Sequence, residues 1–177
     1  MRRIISLAAA SAAALLVAAV PASAAVGHDS QPTNNVWERV PSAPFDQAAG
    51  DTCDFPIHGE PLVDRVMKMV LQKNPDGSVK REMYTGALIV RVTNKTTGAS
   101  VDEDVSGTGV ADYTPGGSTT MHVYGPILLG MHEGLGNLPR GLYIPNGIYT
   151  LKISKNGYRT VTFTVGGADN ICDDLQP

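Results

Sequence analysis

The sequence predicts an all-β fold, an antiparallel sandwich or partly closed barrel of about eight to nine short strands held by one disulfide. Three observations predict it. Apolar and polar residues alternate with a period of two in run after run, glycine-containing turns separate the runs, and no convincing helical stripe interrupts them. The two cysteines, Cys53 and Cys172, bracket nearly all of this patterned region.

The clearest element is the hairpin from Gly147 to Val165. Tyr149, Leu151 and Ile153 alternate with Thr150, Lys152 and Ser154; after a turn, Val161, Phe163 and Val165 alternate with threonines. Directly opposed residues of an antiparallel pair share a face, so the apolar sets meet only if Tyr149, Leu151 and Ile153 oppose Phe163, Val161 and Arg159. That register leaves the loop Lys155-Asn156-Gly157, with Gly157 at the position that needs a positive φ.

The same device recurs upstream. Asn74-Pro75-Asp76-Gly77 joins a strand over Val66 to Lys73 to one over Val79 to Tyr84. Residues 62–73 also admit a helical stripe, through Leu62, Val66, Met69 and Val70. The strand reading is preferred because it completes the hairpin. Leu88, Val90 and Val92 lead through Asn94-Lys95-Thr96-Thr97-Gly98 to Val101, Glu103 and Val105. Pro115-Gly116-Gly117 then places Ala111 opposite Met121 and Tyr113 opposite Thr119.

Two stretches resist this pattern. Residues 125–147, rich in glycine and leucine, read either as a crossover covering the core or as a ligand-contacting loop. Residues 25–51, with three prolines and few aliphatics, read as a flexible linker or loosely docked arm before a single β-domain at 52–177. Trp37 in that arm either patches an open part of the core or stacks on a ligand.

Met1-Arg2-Arg3, an apolar run from Ile4 to Val20, and Ala22-Ser23-Ala24 make residues 1–24 a secretory signal peptide. The expected product is secreted, extracellular and free of the membrane. Its removal takes 14 basic residues to 12 against 17 acidic ones, a net charge of about −5. An acidic chain with scattered lysines offers no surface for nucleic acid. In an exported chain two cysteines read as one disulfide, Cys53 to Cys172.

The run Pro145 to Val165, with Gly-Ile-Tyr-Thr-Leu followed by Lys-Asn-Gly-Tyr, resembles the closing hairpin of carboxypeptidase regulatory-like and prealbumin-type sandwich modules. Cys53-Asp54-Phe55-Pro56, Gly86 to Asn94 with Thr97-Gly98, and Ile171-Cys172-Asp173 are similar to small secreted actinobacterial β-domain proteins of unknown function. The resemblance implies an exported, disulfide-closed β-domain and transfers no catalytic residue.

The sequence is poor in catalytic patterns. No Gly-x-Ser-x-Gly elbow is present, and the histidines at 28, 58, 122 and 132 lack metal-ligand spacing. A site from His58, His122 and Glu133 can be drawn, but solvated histidines are the plainer reading. Asp102-Glu103-Asp104 reads as a charge-protected sheet edge. The expectation is therefore a monomeric, non-catalytic binding module without cofactor, whose partner is an extracellular protein or cell-wall glycan. Its candidate contacts are Met131, His132, Glu133 and Arg140 with the out-of-phase tyrosines Tyr124 and Tyr158. The alternatives are a small hydrolase or metal-dependent enzyme using His58, His122 and His132, and a protease inhibitor presenting Leu138-Pro139-Arg140-Gly141.

Overall fold

The computed structural model describes residues 35–176, so the signal peptide and the first part of the arm lie outside the described residues. Two antiparallel sheets form the domain. Sheet A holds β1 (Glu38–Arg39), β4 (Met67–Lys73), β5 (Val79–Thr85), β8 (Thr108–Tyr113), β9 (Thr119–Tyr124), β10 (Leu129–Met131), β11 (Gly141–Ile153) and β12 (Arg159–Asn170). Sheet B holds β2 (Phe45–Gln47), β3 (Ile57–Asp64), β6 (Leu88–Asn94) and β7 (Ser100–Asp104). Both sheets stay open, which resolves sandwich against barrel in favour of the sandwich.

The predicted hairpin register is the observed one: Tyr149 opposes Phe163, Leu151 opposes Val161 and Ile153 opposes Arg159. Gly77, Gly117 and Gly157 close three loops of one kind, with φ of +84°, +81° and +85°. Each loop is clamped by the same pair of main-chain bonds, as in Ser154 O accepting from Gly157 N and Tyr158 O accepting from Ser154 N. Ala111 faces Met121 and Tyr113 faces Thr119, also as predicted. Residues 67–73 are a strand.

Among the described residues twelve strands form rather than eight or nine, because the arm and the glycine-rich segment supply short ones. Within the described part of the arm, β1 pairs with β4 and β2 pairs with β3, and Phe45 packs onto the core against Gly59. Residues 38–47 are therefore docked, while Trp37 remains 41% exposed.

The glycine-rich segment is a hairpin that covers the core. Tyr124 opposes Ile148 and Leu129 opposes Tyr143, so β9 and β10 run along β11 in one continuous register. Between them the ladder thins: Gly125 N and Ile127 N still donate to Gly147 O and Pro145 O at 2.9 and 3.4 Å, while Pro126 and Pro145 have no N–H to give in return. Leu142 and Ile144 face sheet B in a core with Ile57, Val92, Ile171 and Leu175. On its other side Tyr143 joins Met131, Tyr149, Leu151 and Val161 in a second core. The first half of β11 is thus a middle layer, buried on both faces.

This layering requires the long hairpin to fold over itself. It does so at Gly147 and Gly166, next to a bulge at Ile148/Tyr149. The fold-over brings Arg159 Nη1 to the Gly130 carbonyl and lets Asn137 bond both main-chain atoms of Val161, at 2.8 Å each. Tyr149 sits in the crease, 2% exposed, with its ring 5.4 Å from that of Phe163 and its hydroxyl donating to the carbonyls of Gly125 and Pro145.

The chain ends on a short helix, α1 (Ile171–Asp174), capped by Asn170. The Cys53–Cys172 disulfide anchors it, with Cα atoms 5.4 Å apart. Asn94, 1% exposed, ties it from the other side: Nδ2 donates to Leu175 O, while Oδ1 accepts from the amides of Thr96 and Thr97.

Candidate functional site

The six contact residues nominated from sequence fall in three places. Met131 is wholly buried in the second core. His132 hydrogen-bonds Asp51 O at 3.0 Å and Arg140 pairs with Asp54, so both hold the 132–140 loop to the strap before β3; Glu133 is exposed at its tip. Tyr124, 70% exposed, and Tyr158, 36% exposed, lie on β9 and at the β11–β12 turn.

These two tyrosines share one surface, the outer face of sheet A. Val123, Tyr149 and Leu151 point inward, so Tyr124, Ile148 and Thr150 point outward by the period of two. Pairing across successive strands builds a row Met67–Thr85–Thr108–Tyr124–Ile148–Val165. A second row runs Met69–Met83–Val110–His122–Thr150–Thr162. Ile148 is 46% and Val165 62% exposed. A shallow depression of about 340 Å³ lies among Tyr124, His122, Ile148, Thr150 and Thr164.

No second layer covers this face among the described residues. Sheet B and α1 pack on the first half of β11, and Tyr124, Ile148 and Val165 stay open to solvent. Charge on the face is partly cancelled within it. Its Arg81 and Asp112 form a two-bond ion pair at 2.5 and 3.0 Å, so each neutralises the other. Arg39 opposite Met67, Lys73 opposite Val79 and Lys152 opposite Thr120 leave the face basic at its margins.

The inner face at β4 and β5 carries a buried carboxylate that sequence reasoning missed. Glu82 is 5% exposed and accepts from the hydroxyls of Tyr84 and Tyr113, the latter at 2.5 Å, with Lys68 Nζ 3.8 Å away. Burial, then the bond to this carboxylate, pushes both tyrosine hydroxyls up, Tyr84 the more clearly, so they stay protonated donors. The alternation Lys80, Glu82, Tyr84 marked one face; nothing in it said that the face turns inward.

The three histidines of the enzyme reading do not converge. His58 Nδ1 meets Asp46 at 3.2 Å on sheet B, His122 lies on the outer face of sheet A beside Thr150, and His132 is held by the strap. Among the described residues no group of three histidine, cysteine or acidic side chains is arranged to hold a metal ion. The protease-inhibitor segment is tethered too: Leu138 packs in the second core and the Pro139 carbonyl accepts from Tyr143. Asp102 is bound by Arg91 through two bonds of 2.7 Å on the edge strand β7. Its neighbour Glu103 faces a cleft with Asp169 and Asp174.

Compared with known proteins, the chain matches no protein-family model, no curated protein and no solved structure.

Proposed function

We propose that this protein is a secreted, non-catalytic interaction module whose contact surface is the outer face of sheet A. One observation carries the reading: Tyr124, Ile148 and Val165 stand side by side on adjacent strands, 70%, 46% and 62% exposed. Contiguous apolar surface of this kind marks interaction sites. Export rests on the signal peptide read in residues 1–24, and a disulfide suits that oxidising compartment.

The surface favours a protein partner over a glycan. Glycan platforms rely on flat aromatic faces, whereas here Tyr124 and Tyr158 stand apart and Tyr124 sits between Thr108 and Ile148, with Val165 beyond, a setting that suits apolar packing. The test is site-specific photocrosslinking in culture supernatant, with a photoreactive residue at position 124 or, for comparison, at Glu133 in the 132–140 loop. A protein adduct from position 124 and none from 133 is the expected outcome. Adducts from 133 alone, or from neither, would contradict the assignment.

A further inference from the structure

We infer that the turn end of sheet A binds an anionic glycan through four lysines that no carboxylate of the described protein engages. The site borders the outer face and takes a partner of its own. Antiparallel pairing through β4-β5-β8-β9-β11-β12 brings the turns 74–77, 114–117 and 154–157 to one end of the sheet. Five strand spacings of about 4.8 Å make that edge about 24 Å long.

Lysines scattered along the sequence meet here. Lys73, Lys80, Lys152 and Lys155 are all exposed, on the strand ends or in the turns. The Lys155 stem leans over the middle turn, its Cγ 3.8 Å from where a Cβ on Gly117 would stand. Among the described residues none of the four is ion-paired, whereas the other two lysines, Lys68 and Lys95, lie 3.8 and 2.9 Å from Glu82 and Asp46.

Residues 72–81, 112–120 and 152–160 hold six basic against two acidic residues, in a chain with 14 basic against 17 acidic. Of the two acids, Asp112 is bound by Arg81, and Asp76 accepts from the Ser78 amide and hydroxyl at 2.9 and 2.6 Å. A cationic patch on an otherwise acidic protein gathers anions at that patch.

The side chains around the lysines say which anion. The turns Asn-Pro-Asp-Gly-Ser, Thr-Pro-Gly-Gly-Ser and Ser-Lys-Asn-Gly-Tyr carry no leucine, isoleucine, valine or tryptophan. They offer neither the apolar centre of a protein interface nor a wedge for a lipid bilayer. Hydroxyl and amide groups suit a hydroxyl-rich chain instead, and Tyr158, in the Lys155 turn, presents a ring on which a sugar can stack. Each turn is already clamped by its main-chain bonds, so binding has little backbone to order. Lysine is a point charge without a fixed fork, which suits carboxylate and phosphate alike.

Fluorescence anisotropy of labelled polygalacturonate and of labelled phosphorylated dextran, titrated with the purified protein, tests this. Plain dextran, poly-L-glutamate and vesicles of equal parts phosphatidylcholine and phosphatidylglycerol are the comparisons. Binding to at least one anionic glycan and not to plain dextran is expected, weakening at least about tenfold between about 50 and about 300 mM salt. The glycan that binds identifies carboxylate or phosphate as the anion. K73E/K80E and K152E/K155E should each weaken binding at least about fivefold, whereas R39E/R65E, the same charge change at the far end of β4, should not. Y158A should weaken binding to the glycan and leave poly-L-glutamate unaffected. No binding to either anionic glycan, an equal loss with R39E/R65E, no effect of Y158A, or tighter binding to poly-L-glutamate or to the vesicles would overturn the inference.

Discussion

Gly147 and Gly166 oppose each other across the β11–β12 hairpin, both with positive φ, +114° and +108°, at the crease where the hairpin folds over itself. A Cβ on either would run into the main chain of the other strand, at Val165 O or Asn146 O. The second core exists because this crease lets Tyr143 and Tyr149, on two halves of one strand, pack together.

Gly166→Ala is therefore expected to cost more than about 2 kcal/mol, since it adds both backbone strain and a clash. Gly157→Ala, in a turn with a similar φ but open space around it, should cost only about 1 kcal/mol. Urea denaturation of the two variants checks the difference. Equal losses would contradict the role given to the crease.

The disulfide closes a loop spanning 119 residues and pins α1, with buried Ile171 and Leu175, to the first core. Replacing both cysteines by alanine should lower stability by about 2 to 5 kcal/mol. Calorimetry in the presence and absence of reductant reads the same effect in the parent. An unchanged melting temperature would show that α1 needs no tether.

Glu82 accepts from two half-buried tyrosine hydroxyls that lie 3.4 Å from each other. Glu82→Ala removes the carboxylate acceptor from both and leaves at least one hydroxyl without a partner, which should cost about 2 kcal/mol, whereas Glu82→Gln keeps an acceptor oxygen and should cost less. Chemical denaturation of the two variants decides it. Alanine within about 0.5 kcal/mol of the parent would mean the network contributes nothing.

Glu103 titrates high because partial burial, then Asp174 and Asp169, disfavour its charge. A carboxyl whose folded pKa exceeds its unfolded one binds more protons when folded, so stability falls as pH rises between the two values. Glu103→Gln is expected to raise the urea midpoint at pH 7, and the gain should fade below the ordinary glutamate range. Asp46 and Asp64 behave oppositely. Lys95 and then His58 hold Asp46 low, and the Ser42 and Val66 amides hold Asp64 low. Their contributions are present above the ordinary aspartate range and are lost as pH falls through their lowered folded values. A pH series of urea midpoints separates the two signs.

Much of the fold was legible because the outer strands of sheet A have one face in and one face out. Alternation fixed the Tyr149–Phe163 and Ala111–Met121 pairings, and the glycine at the end of each three-residue loop fixed the turns. Residues 141–145 resisted reading for the opposite reason: buried on both faces, Leu142, Tyr143 and Ile144 show no alternation. β1 and β2, two and three residues long, are too short to show any period. Of the contact face, Tyr124 and Tyr158 could be read as out of phase with their apolar neighbours. Met67, Met69 and Met83 could not, because an apolar residue on an uncovered face looks in sequence like one in a core.

The most direct test of the contact face is the oxidation rate of individual methionines, followed by mass spectrometry in purified protein and in culture supernatant, with the oxidant dose matched by a reporter peptide. Met131, fully buried, is the internal reference and should stay unreactive throughout. Met67, Met69 and Met83 should oxidise readily in the purified protein and become protected in the supernatant, where a partner is present. Rates at these three that are the same in both would contradict the outer face of sheet A as the contact surface.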